Sequence, residues 1–324
     1  MTTRRATLGA LLSLAFAAAI ATPAATLAAS DTHVRIIAFN DFHGNLEPPE
    51  GGSGQIDGTD AGGISYLASH VRALRGEVRH SIVVSAGDLI GASPLISGLF
   101  HDEPTVEAAD ILGLSFNAVG NHELDDGADE LLRIQHGGCH PVDGCATDQI
   151  YPGARFRILA ANVIETATGD PLFPGSAIRR FGAARIGFIG VVTRTVPTLV
   201  SPESLAGLTI LDEATSVNKE VAKLREKGVE TIIVLVHEGG WQTGDIDECT
   251  GASGPILDIA ARIDPAVDVI ISGHTHQAYR CELDGRLVTS AKSFGRLVTR
   301  IDLTIDRKTG DVVDRKSTRL NSSH

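Results

Sequence analysis

The sequence predicts an α/β layered domain with a largely parallel interior. Two observations carry this expectation. Short apolar runs rich in Val and Ile recur along the chain, and each gives way to a polar loop. Runs of that length without polar alternation suit strands buried on both faces. Segments with helical spacing alternate with them, and that order belongs to layered α/β folds.

The strand candidates in chain order are HVRIIAF, SIVVSA, SFNAV, FRILAANV, ARIGFIGVV, TIIVLV and VDVIIS. Between them, GGISYLASHVRALRG places apolar residues on one helical face and meets Gly76 near its end. DEPTVEAADILG opens on acids and closes on Gly113, and LDEATSVNKEVAKLREKG offers Asp212 as an N-cap and stops at Gly228. The Gly/Pro/Asp-rich stretch HGNLEPPEGGSGQIDGTDAGG reads as a loop. RLVTRIDLTID alternates and reads as a final strand near a sheet edge.

With 324 residues the chain suffices for one large or two small domains. A net charge of −12 argues against a nucleic-acid-binding face, which needs clustered cations. Arg4 and Arg5, the apolar LGALLSLAFAAAIA and the small residues up to Ala28 and Ala29 form a secretory signal over 1–29. The apolar run is shorter than the ~20 residues of a membrane span. The mature chain is therefore expected outside the cytoplasm, in the periplasm, outside the cell or at the wall.

In an oxidising compartment four cysteines imply two disulfides, read here as Cys139–Cys145 and Cys249–Cys281. A small zinc knuckle of the first pair with His136 or His140 is the competing reading. The chain closes on DRKSTRLNSSH, Asp314 to His324, which has no apolar periodicity. The bland reading is a disordered polar tail. The eleven residues also match an in-frame translation of a common sequencing-library adapter. On that reading the catalytic domain covers 30–313, the native sequence ends near Val313 and the natural protein continues beyond it.

Polar residues follow five strands directly: NDFHG, GDL, GNHELD, HEGG and GHTHQ. The carboxyl ends of strands line the ligand crevice in an open α/β sheet. The five loops would bring together Asp41, His43, Asp88, Asn121, His122, Asp125, His237, His274 and His276. Carboxylate, imidazole and amide oxygen are ligands for Zn²⁺, Mn²⁺, Fe or Co²⁺, and no thiolate is among them. So many donors exceed one tetrahedral ion and suit two ions sharing a carboxylate. Glycines before Asp88, Asn121 and His274 allow sharp turns and close approach. The DxH and HxH spacings are expected to put two side chains on one side of an extended segment. His33, His70, His80, His101, His136, His140 and His324 fall outside the pattern and read as surface or loop residues.

The blocks DFHGN, GD, GNHELD, H and GHTH resemble the five motifs of the calcineurin-like metallophosphoesterase superfamily. AFNDFHGNLEP, AVGNHELDDG and SGHTHQAYRC are similar to its exported bacterial 5′-nucleotidase and 2′,3′-cyclic-nucleotide phosphodiesterase branch, over about His33 to Asp306. The resemblance implies an α/β/β/α sandwich with a dinuclear site at the strand ends. One ion would be held by Asp41, His43, Asp88 and His276, the other by Asp88, Asn121, His237 and His274, with a hydroxide between them attacking phosphorus. His122 would face the developing charge or protonate the leaving oxygen, with Asp125 fixing its tautomer. Glu123 and Asp126 read as first-turn helix acids, and Glu238 as a neighbour of the ligands or a solvent-exposed acid. The implied substrate is a nucleotide or another small phosphoester: a 5′-nucleotide, a cyclic nucleotide or a UDP-sugar, with protein-bound thiosulfonate the substrate in a relative of this fold. The implied cofactors are two divalent ions (Zn, Mn, Fe, Co or Mg). The second, C-terminal domain of that branch, with its phosphate-clamping arginines and base-stacking aromatics, has no counterpart here. A non-catalytic metal-binding envelope protein is the reading from another class.

Overall fold

The computed structural model describes residues 1–2 and 31–321, and the expected leader lies almost wholly outside them, as do the last three residues. Two six-stranded sheets are stacked face to face. The first contains β1 (Thr32–Phe39), β2 (Ser81–Ser85), β3 (Leu114–Ala118), β4 (Arg157–Leu159), β11 (Leu297–Ile305) and β12 (Val312–Asn321), in the order β12-β11-β1-β2-β3-β4. The second contains β5 (Ser176–Phe181), β6 (Ala184–Val192), β7 (Thr231–His237), β8 (Val269–Ser272), β9 (Ala278–Leu283) and β10 (Arg286–Ala291), in the order β9-β10-β8-β7-β6-β5. β1 to β4 run parallel, as do β6, β7, β8 and β10; antiparallel pairs close both edges of the second sheet and one edge of the first, whose other edge is the parallel β4.

Residue alternation explains why the parallel strands are apolar throughout. Ile36 and Ala38 of β1 face the other sheet, where Ile186, Phe188, Ile233 and Leu235 meet them. Ile37 and Phe39 face outward, under α1 (Ile64–Gly76), α3 (Glu103–Leu112) and α4 (Gly127–His136); the one-turn α2 (Leu95–Gly98) precedes α3 in the chain. Likewise Val234 and Val236 of β7 face α5 (Glu213–Glu226) and α6 (Pro255–Arg262). The layers are α/β/β/α. Asp212 caps α5 by accepting from the Thr215 amide at 2.9 Å, and Gly113 ends α3 in the left-handed region.

Two sequence expectations change. FRILAANV is not one strand: β4 ends at Leu159, and Val163–Glu165 pairs separately with Leu208–Ile210. The buried Asn162 side chain causes the break by bonding the backbone of Val192 and Leu211. The alternating RLVTRIDLTID is the strand β11, near an edge as expected, with β12 alone outside it. Residues 312–321 themselves are strand rather than irregular tail. Ladder hydrogen bonds are made by the main chain, so an open edge accepts a strand with little regard to side chains. The cysteines pair as Cys139–Cys145 and Cys249–Cys281, which leaves no thiolate for a knuckle.

Candidate metal centre and active site

The loops after β1, β2, β3, β7 and β8 converge and deliver all nine expected side chains. Their donor atoms fall into overlapping groups: Asp41, His43 and His276; Asp88, His237 and His274; and His43, Asp88 and His122. Asp88 joins two of the groups. Asn121 belongs with the second, its Oδ1 3.2 Å from His237 Nε2.

Hydrogen bonds fix where the lone pairs point. His43 Nδ1 donates to the Gly91 carbonyl and His237 Nδ1 to the Ala86 carbonyl, so in the neutral ring that a metal requires each Nε2 is an acceptor. His43 Nε2 lies 3.1 Å from His276 Nε2. His237 Nε2 lies 3.0 Å from Asp88 Oδ2 as well as near Asn121 Oδ1. Acceptors facing acceptors repel unless a cation or proton lies between them. The residues therefore fit divalent ions bound by N and O donors. The electrostatics carry the same strain. Burial pushes the Asp41 carboxyl up to about 7. At His237 burial works against the charged ring, but Asp88 outweighs it and raises the imidazole to about 10.

The backbone is bent to aim these groups. Asp41, His43, Asp88, His274 and His276 all have φ between 48° and 71°. For non-glycine residues that region costs free energy and is held only by surrounding structure. The DxH and HxH pairs thus converge through left-handed turns, not along an extended strand, because each residue must fold back toward the same centre. Close approach needs glycine at Gly120, where a Cβ would sit 2.5 Å from the Asp88 amide nitrogen. At Gly87, φ 89°, a Cβ would sit 2.6 Å from His237 Nδ1.

Glu123 is the largest departure from the sequence reading. It is not a solvated first-turn acid; it is buried and binds the loops together. Its Oε2 accepts the amides of Asp88 and Gly120, and its Oε1 accepts from Leu89 and from the Asn117 side chain. Asp126 is the residue preceding α4 and makes no side-chain cap there. Glu238 is buried and accepts from the Thr193 hydroxyl and the Gly239 amide. Asn40 bridges Asp41 to Lys292 O and Ala291 N. Phe294 sets its ring edge near both His43 and His276. Asn40 carried a signal, a polar residue closing an apolar strand beside a ligand; Phe294 carried none.

His122 stands beside the two groups. Its amide donates to Asp88 Oδ1 at 3.0 Å, and its Nδ1 is 2.6 Å from Asp125 Oδ2. The hydrogen bond to Asp125 raises the imidazole pKa, against partial burial.

Residues 27–278 match the family model described as calcineurin-like phosphoesterase. The chain belongs to this family. It is 37% identical over 288 residues to a protein named endonuclease YhcR of Bacillus subtilis, covering 88% of this chain and 23% of that one. It is 31% identical over 265 residues to a probable 5′-nucleotidase of Treponema pallidum, covering 80% of this chain and 39% of the relative. The crystal structure of a 5′-nucleotidase precursor from Thermus thermophilus superposes with a TM-score of 0.71 at 24% identity, covering 90% of this chain and 55% of that one. That likeness establishes the shared fold. The chain spans well under half the length of these two curated relatives.

Proposed function

We propose that residues 30–313 are the catalytic domain of an exported, dinuclear divalent-metal phosphoesterase that hydrolyses nucleotide phosphate esters in the manner of a 5′-nucleotidase. The observation that carries this is the His122–Asp125 pair set beside two overlapping donor groups. A protein that only stores metal needs no such pair.

Asp41, His43, Asp88 and His276 would hold one ion, and Asp88, Asn121, His237 and His274 the other. Bound divalent ions supply charge neutralisation at the phosphoryl oxygens and lower the pKa of water toward about 7. The chain's own residues do the rest. Asp125 takes the Nδ1 hydrogen of His122 and so leaves Nε2 directed to the reacting group. As water adds to phosphorus, releasing one proton to solvent, and the ester P–O bond breaks, protonated His122 gives its Nε2 proton to the departing oxygen and is then reprotonated from solvent. Glu123 holds the Asp88 and Gly120 peptides in place throughout. Export is supported by the leader-like start and by two disulfides, which persist in oxidising compartments. Among the described residues no helix is long and apolar enough to cross a membrane.

The name of the Bacillus relative raises polynucleotides as a second substrate class. The net charge of −12 favours small anions that the ions themselves can neutralise. Protein loaded with Mn²⁺ or Zn²⁺ is expected to cleave bis(p-nitrophenyl) phosphate and AMP, and to leave single-stranded DNA intact. His122→Ala should lower kcat by about 10²–10⁴-fold, the range for a general acid, with metal content retained. Full activity in that variant overturns the role of His122. No turnover of any ester by loaded wild type leaves the metal-binding reading standing instead, and DNA cleavage overturns the substrate class.

A further inference from the structure

Two histidines assigned by sequence to the surface come together outside the centre described above. His101, two residues before α3, stacks its ring on His140 with centroids 3.8 Å apart and planes within 9°. Asp143 Oδ2 lies 3.0 Å from His101 Nε2 and 3.4 Å from His140 Nδ1. We propose that His101, His140 and Asp143 bind a further divalent cation of the Zn²⁺ class, which fastens the disulfide-closed loop 139–145 to the start of α3.

Donor atoms of His101, His140 and Asp143 converge at this loop. His140 Nδ1 accepts the amides of Asp143 at 3.1 Å and Val142 at 3.4 Å, so the ring is the tautomer with its lone pair on Nδ1, and a bound ion would take that lone pair from the two amides. The same nitrogen faces the Asp143 carboxylate, a second acceptor. A cation among the three donors would neutralise the carboxylate and bind lone pairs of both rings. All three donor atoms lie within 4.8 Å of one another. Two imidazoles and a carboxylate suit Zn²⁺, Co²⁺, Ni²⁺ or Cu²⁺ rather than Mg²⁺ or Ca²⁺.

The loop is prepared for such a role. Cys139–Cys145 closes it, and His140 and Gly144 exchange both backbone hydrogen bonds across it. The two imidazoles are mostly shielded, whereas Asp143 is 64% exposed at its side chain and leaves room for water to complete the coordination. Imidazole lone pairs lie in the ring plane, so binding requires the rings to tilt out of their stack. His101 also lines one small cavity with His122 and Asp126. An ion at this position would brace that wall of the catalytic cleft.

The test uses the oxidised chain and counts Zn²⁺ by calorimetric titration and elemental analysis. His140→Ala and Asp143→Ala are each expected to bind one Zn²⁺ fewer than wild type, with an unchanged circular dichroism spectrum and no free thiol. The same difference of one should separate Asp88→Asn from Asp88→Asn/His140→Ala. That comparison reads the new site even if the dinuclear reading fails. Equal Zn²⁺ counts and affinities in wild type and His140→Ala overturn the proposal. A lost ion accompanied by free thiols, which would assign the binding to cysteine, also overturns it.

Discussion

The Glu123 carboxylate accepts the backbone hydrogen of Asp88 at 2.9 Å, tying the loop after β3 to the loop after β2. Two carboxylates, one held behind the other, thus occupy the middle of the site. Glu123 serves four N–H donors with two oxygens. In Glu123→Gln the amide NH₂ replaces one oxygen and would face two of those donors. A buried donor left unpaired costs about 1–3 kcal/mol. The variant should therefore melt several degrees below wild type and bind metal more weakly, as read by thermal unfolding and titration. A wild-type Tm would exclude this role.

The His122–Asp125 contact sets a pH dependence. Asp125 raises the His122 pKa, so the proton-donating form persists to higher pH than in a free imidazole. Asp125→Asn removes the charge and keeps the shape. The His122 pKa then falls, and the basic limb of the kcat/KM profile should move to lower pH by roughly one unit. Activity near pH 6 is spared relative to activity above pH 8. A basic limb that stays in place removes His122 as the acid.

A second titration is expected away from the active site. Burial pushes the Asp268 carboxyl up from 3.8 to about 7, although it accepts the Ile232 amide at 3.0 Å. Between those two values the folded chain binds more protons than the unfolded chain, so this group's contribution to stability falls as pH rises through that window. Asn in its place can still accept the Ile232 hydrogen and never ionises. Asp268→Asn should raise Tm relative to wild type at about pH 8 and raise it less, or not at all, at about pH 5. A Tm difference independent of pH would rule out titration as the cause.

Much of the site was legible in the sequence because it depends on local properties. Apolar runs identify strands, and the polar residues that end them identify loops at one end of a parallel sheet. The residue types in those loops, with glycine before Asp88, Asn121 and His274, identify metal chemistry. What was misread shares one cause. Glu123 looked like a helix-start acid because its sequence neighbours suggest one, yet its four partners lie on the loops after β2 and β3 or in β3 itself. Asn162 broke a run that looked continuous because its bonding partners are 30 and 49 residues away. His101 and His140 looked like separate surface residues because nothing local shows that a disulfide loop brings one ring onto the other.

By itself the sequence determined most of the parallel strands, which residues could hold metal and that Cys139 and Cys145 are near enough to pair. Those follow from periodicity, side-chain chemistry and short spacing. Only the tertiary structure decided that Asp88 Oδ2 would lie 3.6 Å from His43 Nε2 and 3.0 Å from His237 Nε2, that Asp41 and His43 would converge through left-handed backbone, and that Glu123 would be buried behind them. The two sheets form separately ordered ladders, and their stacking alone brings the loops after β1, β2 and β3 against those after β7 and β8. No periodicity within one strand encodes that meeting.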